Sequence, residues 1–180
     1  MNIGLFYGST TGCTESAAEA IQAQLNHFQA GLVTLINVGD IDHLEQMLNY
    51  DKIIIGVPTW NIGELQVDWE DVFEQFDELD LSGKQVALFG TGDQYGYPEN
   101  FQDAIGIVGQ KARQVGAEIV GRWTLDDYDH TASLAEEDGM FIGLALDDDN
   151  QANLSDRRIA AWVKQLLEEF GFAAEVGEPA

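Results

Sequence analysis

The sequence predicts an α/β fold: a doubly wound parallel sheet of five strands with helices on both faces. Three observations carry this. Short apolar runs alternate with stretches of helical spacing along the chain, the pattern of repeated strand–helix units. One run, Ile53-Ile54-Ile55-Gly56-Val57, is apolar throughout, as in a strand covered on both faces. The first, third and fourth runs end in polar, glycine-containing turns, and ligands of such sheets sit at the C-terminal ends of the strands.

Taken in order, Ile3–Tyr7 reads as the first strand. Ala17, Ile21, Leu25 and Phe28 then recur at helical spacing. Leu32–Ile36 is the second strand, and Ile41, Leu44 and Leu48 mark a short helix. After the third strand, Trp69, Val72, Phe73 and Phe76 give the stripe of another helix. Val86–Phe89 is the fourth strand, followed by a helix with Phe101, Ala104, Ile105, Val108, Ala112 and Val115. A fifth strand begins at Ile119–Val120. From Trp123 to Gly139 the chain is polar and Asp-rich, and Phe141–Leu146 then resumes a strand pattern. The fifth strand is therefore expected to be split by a long loop, and loops of that length usually serve a purpose. Ile159, Trp162, Val163, Leu166 and Phe170 form the last helix, with Trp162 in the core. Residues 1–170 are expected to form one domain, and the small, acidic tail 171–180 is expected to fray.

The chain has 180 residues, about one domain by length. Eight Lys and Arg against 32 Asp and Glu leave a net charge of −24. A surface this acidic repels phosphates, which argues against nucleic-acid partners and anionic membranes. Disorder is not expected, because 45% hydrophobic residues is an ordinary globular share. No run approaches the roughly 18 apolar residues of a membrane span. Met1–Tyr7 has no basic segment and runs straight into a strand, unlike a signal peptide. One cysteine makes no internal disulfide and no multi-cysteine metal site. A cytoplasmic monomer is expected.

Ser9-Thr10-Thr11-Gly12-Cys13-Thr14 joins the first strand to a helix N-terminus. Free backbone N–H groups, the positive end of the helix dipole and four hydroxyls suit a phosphate. Ser and Thr are also ordinary N-cap residues, and on this segment alone the two readings stand level. No Lys or Arg occurs before Lys52, so a phosphate here would be held by neutral donors. A Walker A loop needs Gly-Lys-Ser/Thr, and a dinucleotide site needs Gly-x-Gly-x-x-Gly. Both are missing, which leaves a mononucleotide. Pro58-Thr59-Trp60-Asn61-Ile62-Gly63-Glu64 follows the third strand and Thr91-Gly92-Asp93-Gln94-Tyr95-Gly96-Tyr97 follows the fourth. Each brings aromatic residues to the ligand edge, where two rings facing one cleft would sandwich a planar group.

These segments carry a family resemblance. Gly8–Glu15, Pro58–Glu64, Gly92–Asn100 and Gly143–Gln151 occur in the order found in flavodoxins, and the likeness runs to about Phe170. The split fifth strand resembles long-chain flavodoxins, and the start resembles the B-type flavodoxins of bacteria. The resemblance implies an FMN carrier of single electrons. Ser9, Thr10, Thr11, Gly12, Cys13 and Thr14 would hold the phosphate. Trp60 and Tyr97 would enclose the ring, within loops that include Pro58, Gly63, Thr91 and Gly92. Thr59, Asn61 and Ile62 would give backbone contacts, Asp93 and Asn100 would meet the pyrimidine edge, and Asp149 would approach the ribityl chain. Cys13 departs from the pattern, because many relatives have a basic or amide residue there. A thiol at a helix N-terminus is also open to a lowered pKa and oxidation.

Flavin would supply the redox chemistry and the protein its potential. Acidic surroundings disfavour added negative charge, so a low potential is expected. A carbonyl at Asn61–Ile62 would rotate to accept the N–H that reduction places on the ring, and Asn61 and Gly63 ease the backbone angles this needs. Asp68, Glu70, Asp71 and Glu74, with Asp126, Asp127 and Asp129, would steer a basic NADPH-dependent reductase and electron-accepting enzymes into transient complexes. The alternative is an FMN-dependent NAD(P)H:quinone reductase on the same fold. It needs an open ring face and basic residues for the dinucleotide phosphates, and the sequence favours neither. His27, His43 and His130 have no ligand spacing and read as surface residues. Asp147-Asp148-Asp149-Asn150 lacks the Gly and Glu of a calcium loop, so no metal and no catalytic set are expected.

Overall fold

The computed structural model describes residues 2–172. Its main sheet is parallel. Strands β1 (Ile3–Tyr7), β2 (Val33–Asn37) and β3 (Lys52–Gly56) are followed by a small hairpin, β4 (Thr59–Trp60) and β5 (Glu64–Leu65). Then come β6 (Gln85–Thr91), β7 (Glu118–Val120), β8 (Trp123–Thr124), β9 (Glu136–Glu137), β10 (Met140–Phe141) and β11 (Leu144–Leu146). The helices are α1 (Cys13–Phe28), α2 (Val67–Val72), α3 (Asp103–Gln114) and α4 (Asp148–Glu169). Short 3-10 turns span Val38–Asp40, Leu44–Asn49 and Phe73–Glu78. The second of these is the short helix expected around Leu44.

The main sheet runs β11-β6-β3-β1-β2, and β7 also pairs with β6. The split of the fifth strand is visible in the register. Val120 lies opposite Ala87, and Leu144 lies opposite Phe89 on the same strand. Thus β7 and β11 share one edge of β6, with residues 121–143 inserted between them. The insertion forms its own antiparallel sheet, β8-β10-β9. One expectation is corrected here. Phe141–Leu146 is not one strand: Phe141 pairs with Trp123 in the small sheet, and Leu144 starts the main-sheet strand. Both stretches are buried, so apolarity alone does not separate them.

Strand side chains alternate between two apolar layers even where every position is apolar. Phe6, Ile53, Ile55, Val86 and Leu88 pack with Trp69, Ile105 and Val108 of α2 and α3. Ile3, Leu5, Ile54, Ala87 and Phe89 pack with Ile21, Leu25, Ile159 and Trp162 of α1 and α4. Trp162 is fully buried, and its Nε1 donates to the Gly121 carbonyl at 2.8 Å. Packing continues past the expected domain end: Phe172 is buried against Phe28, their ring centroids 6.3 Å apart. The rest of the expected tail, residues 173–180, lies outside the described residues.

The register also fixes the functional edge. Tyr7 pairs with Gly56, and Gly56 with Phe89. The loops after β1, β3 and β6 therefore leave the sheet side by side. Gly56 has to be glycine for this alignment, because a Cβ there would meet the Phe89 ring.

Candidate functional site

A cleft of about 380 Å³ opens at this edge, within the size range of small-molecule sites. Thr11 and Cys13 line it from the first loop. Pro58, Thr59, Trp60 and Asn61 line it from the second, and Thr91, Gly92, Asp93, Tyr97 and Asn100 from the third. Asp149 closes it from the start of α4. Of the other expected residues, Ser9, Thr10, Gly12 and Thr14 belong to the first loop beside the lining, and Ile62 and Gly63 form the tip of the β4–β5 hairpin. Phe101, Gln102 and Asp148 also line the cleft, and the sequence reading did not select them as site residues.

The first loop ends at Gly12, whose φ of 93° places it in the left-handed region, and no side chain caps α1. The first intrahelical bond runs from Ser16 N to the Gly12 carbonyl. The N–H groups of Cys13, Thr14 and Glu15 therefore lack helical acceptors and are available to an anion. Ser9 Oγ accepts from Gly12 N at 3.1 Å, and Thr10 Oγ1 accepts from Gln66 Nε2 at 3.1 Å. Each hydroxyl keeps its own hydrogen to donate. Thr14 faces inward from the start of α1. It is buried, and its hydroxyl shares a 3.0 Å hydrogen bond with that of Thr91, tying the first loop to the third from behind. Cys13 is exposed at the helix start.

The second loop is the hairpin, in which Trp60 pairs with Glu64. Asn61 and Gly63 both have positive φ, 45° and 75°. A Cβ on Gly63 would lie 2.5 Å from Asp103 Oδ2. Ile62 projects between them, 73% exposed. Thr59 Oγ1 accepts from Ala104 N at the start of α3, which fixes its side chain and leaves its backbone for the cleft.

The third loop is braced. Asp93 accepts from Tyr95 N, from Gly96 N at 2.7 Å and from Asn150 Nδ2, and these bonds hold its carboxyl below the ordinary range, Gly96 N foremost. Buried Asp147 accepts from Gln94 N and Gln94 Nε2, and also caps α4. The inserted segment clasps the loop from outside. Thr131 N and Ala132 N donate to the Pro98 carbonyl, Asp129 N to Gln94 Oε1, and Tyr95 Oη to Asp129 Oδ2. The insertion thus supports the loop that carries Tyr97. His130 corrects the surface reading: its side chain is only 6% exposed, beside Glu136 and packed in a three-ring cluster with Phe101 and Phe141.

Electrostatically the site is one-sided. Residues 8–14, 58–64, 91–102 and 147–149 contain no Lys or Arg, and Glu64, Asp93, Glu99 and Asp147–Asp149 lie among them. Asp149 feels this. Burial first, then the charges of Asp93, Asp147 and Asp148, raise its pKa above the ordinary value. A carboxylate with a raised folded-state pKa opposes folding above that pKa, and the opposition disappears as it protonates. Asp149→Asn is expected to raise the melting temperature slightly at pH 7, with the gain vanishing as pH falls through the raised pKa into the ordinary carboxylate range. Melting curves across pH 4–7 check this.

A parallel sheet with a neutral anion-binding turn and an aromatic-walled cleft at its C-terminal edge defines a mononucleotide-binding α/β protein. Comparison with known proteins makes the class specific. The Flavodoxin family model matches residues 5–162. The flavodoxin of a Nostoc species is 53% identical over 169 residues, covering 94% of this chain and 97% of its own. That of a Picosynechococcus species is 50% identical over 169 residues, with coverage of 94% and 98%. Among solved structures, Fusobacterium nucleatum flavodoxin bound to flavin mononucleotide superposes with a TM-score of 0.87 at 30% identity, covering 93% of this chain and 98% of that one. The chain belongs to the flavodoxin family.

Proposed function

We propose that this flavodoxin binds FMN non-covalently in the cleft and carries single electrons at low potential between a reductase and acceptor enzymes. The observation that carries the reading is the pairing of two features on one edge: uncapped N–H groups at α1 and a cleft flanked by Trp60 and Tyr97. The residues present fit the group. Three free N–H groups and the Ser9 and Thr10 hydroxyls match a phosphate. Gln102, buried behind the cleft, donates from Nε2 to the Leu146 carbonyl and so ties the third loop to β11. Bound FMN supplies one-electron chemistry. The chain's carboxylates, with no cation in the lining loops, oppose added negative charge and favour a low potential.

The hairpin turn would offer a main-chain carbonyl to the N–H that reduction places on the ring. Its positive-φ residues make that reorientation inexpensive. Gly63→Val adds a β-branched side chain where φ is 75° and a carboxylate blocks the Cβ. Strain of this kind costs about 1–3 kcal/mol. The separation between the first and second reduction potentials is expected to narrow by about 60 mV or more, a tenfold change for a one-electron couple. A spectroelectrochemical titration reads it, and an unchanged separation removes the role of the turn.

The chain is proposed to work as a cytoplasmic monomer. Among the described residues no helix is long and apolar enough to cross a membrane. Its donor is proposed to be a basic-surfaced NADPH-dependent reductase, bound transiently. The deciding experiment is an absorption spectrum followed by stepwise reduction with dithionite. A flavin spectrum reduced in two resolved one-electron steps, with no direct oxidation of NADPH, supports a carrier. Reduction in one two-electron step, with direct NAD(P)H oxidation, supports the quinone reductase instead. A colourless protein that takes up no added FMN overturns both.

A further inference from the structure

Gln66 is almost completely buried between the first loop and α2. Its Nε2 donates to Asp68 Oδ2 at 2.7 Å and to Thr10 Oγ1 at 3.1 Å, which uses both amide hydrogens. Its Oε1 is buried with no hydrogen-bond partner among the described residues. It faces Gly8, where any Cβ would collide with it. Leaving a buried acceptor unpaired is costly, so something must hold the amide this way round. The Asp68 carboxylate does so, because a flipped amide would set Oε1 against a carboxylate oxygen at 2.7 Å.

We infer that Asp68 and Gln66 form a positioning pair that commits the Thr10 hydroxyl to donating its hydrogen to the FMN phosphate. Thr10 Oγ1 accepts from the amide, so its own hydrogen must point away from Gln66, and Thr10 is exposed on the anion-binding loop. The arrangement matters in this chain because Cys13 leaves the loop without a cation. A donor of fixed direction takes over part of that task. This rests on the FMN reading above.

The test compares FMN with riboflavin, which lacks the phosphate, by fluorescence quenching on apoprotein from the full chain. Wild type, Gln66→Met, Thr10→Val and the double variant are measured. Gln66→Met keeps the buried volume and removes the donor. The expected result is a loss of about tenfold in FMN affinity, the scale of one hydrogen bond to a charged group, with riboflavin affinity unchanged within about twofold. In the Thr10→Val background Gln66→Met is expected to add nothing to the ratio of the two affinities. Equal weakening of both ligands, no weakening of FMN, or full additivity with Thr10→Val overturns the inference. If Gln66→Met does not fold, Thr10→Val alone decides: unchanged FMN selectivity overturns the inference, and a selective loss supports it. Wild type that binds FMN no more tightly than riboflavin would overturn the phosphate assignment itself, a distinct outcome.

Discussion

Trp60→Ala and Tyr97→Ala are each expected to weaken FMN binding by roughly 10- to 100-fold, on the scale of about 1–3 kcal/mol for an aromatic side chain stacked on a base. Both residues line the same cleft, Trp60 from the β4–β5 hairpin and Tyr97 from the loop after β6. Neither is a core residue: Tyr97 is 42% exposed and Trp60 is half-buried. Their removal leaves both apolar layers intact, so the apoprotein should melt near the wild-type temperature. Riboflavin should lose as much affinity as FMN, because the ring and not the phosphate loses its contact. That pattern is the opposite of the one expected for Gln66, and the two sets of variants together divide the site into a ring half and a phosphate half. Titration of each apoprotein with both ligands measures the effect. Wild-type affinity in both variants would mean that the ring lies elsewhere.

What was legible in the sequence follows from how each feature is encoded. Ser9–Thr14, Pro58–Gly63 and Thr91–Asn100 could be located because polar turns after apolar runs must leave a parallel sheet at one edge. The split fifth strand was visible as a polar interruption between two apolar stretches. Its internal division was not, because Phe141 and Leu144 are equally buried and differ only in which sheet they join. Gln66 and Gln102 escaped notice because a buried amide has no periodicity to betray it. Their importance lies in hydrogen bonds to residues 56 and 44 positions away in the chain. Phe101 was assigned to the apolar stripe of its helix. It is in the core, but it precedes the helix, which starts at Asp103 after Gln102 with φ 62°, and the same side chain also reaches the cleft. His130 was misplaced because histidine suits a surface or an aromatic cluster equally well, and only the fold brings Phe101 and Phe141 against it.

The charge pattern leads to the second large effect. Four of the eight basic residues lie away from the cleft: Lys52 and Lys84 at the starts of β3 and β6, and Lys111 and Arg113 in the last turn of α3. Three of them are paired, Lys84 with Asp51, Lys111 with Asp77 and Arg113 with Glu137. Arg158 is buried over the Tyr128 ring. The loops that line the cleft have carboxylates and no Lys or Arg, and Asp126, Asp127 and Asp129 of the insertion add to the negative charge. A chain of net charge −24 with half of its cations at the far end and none in the loops that line the cleft has a directed field, which draws a basic partner toward the edge where the ring would be exposed. Fields of this kind raise association rates by about 10- to 1,000-fold at low salt and fade once the screening length falls to about 8 Å at physiological ionic strength. The second-order rate of electron transfer from the reduced protein to a basic one-electron acceptor protein is therefore expected to fall at least about tenfold between low and moderately high salt. With an acidic acceptor the rate should rise instead. Glu64→Gln, at the hairpin beside Trp60, should flatten the salt dependence with the basic acceptor, and Asp51→Asn, next to Lys84 at the opposite edge, should not. Stopped-flow measurements at a series of salt concentrations read all of these slopes, and a flat dependence for wild type would show that the acidic face is only a solvated surface.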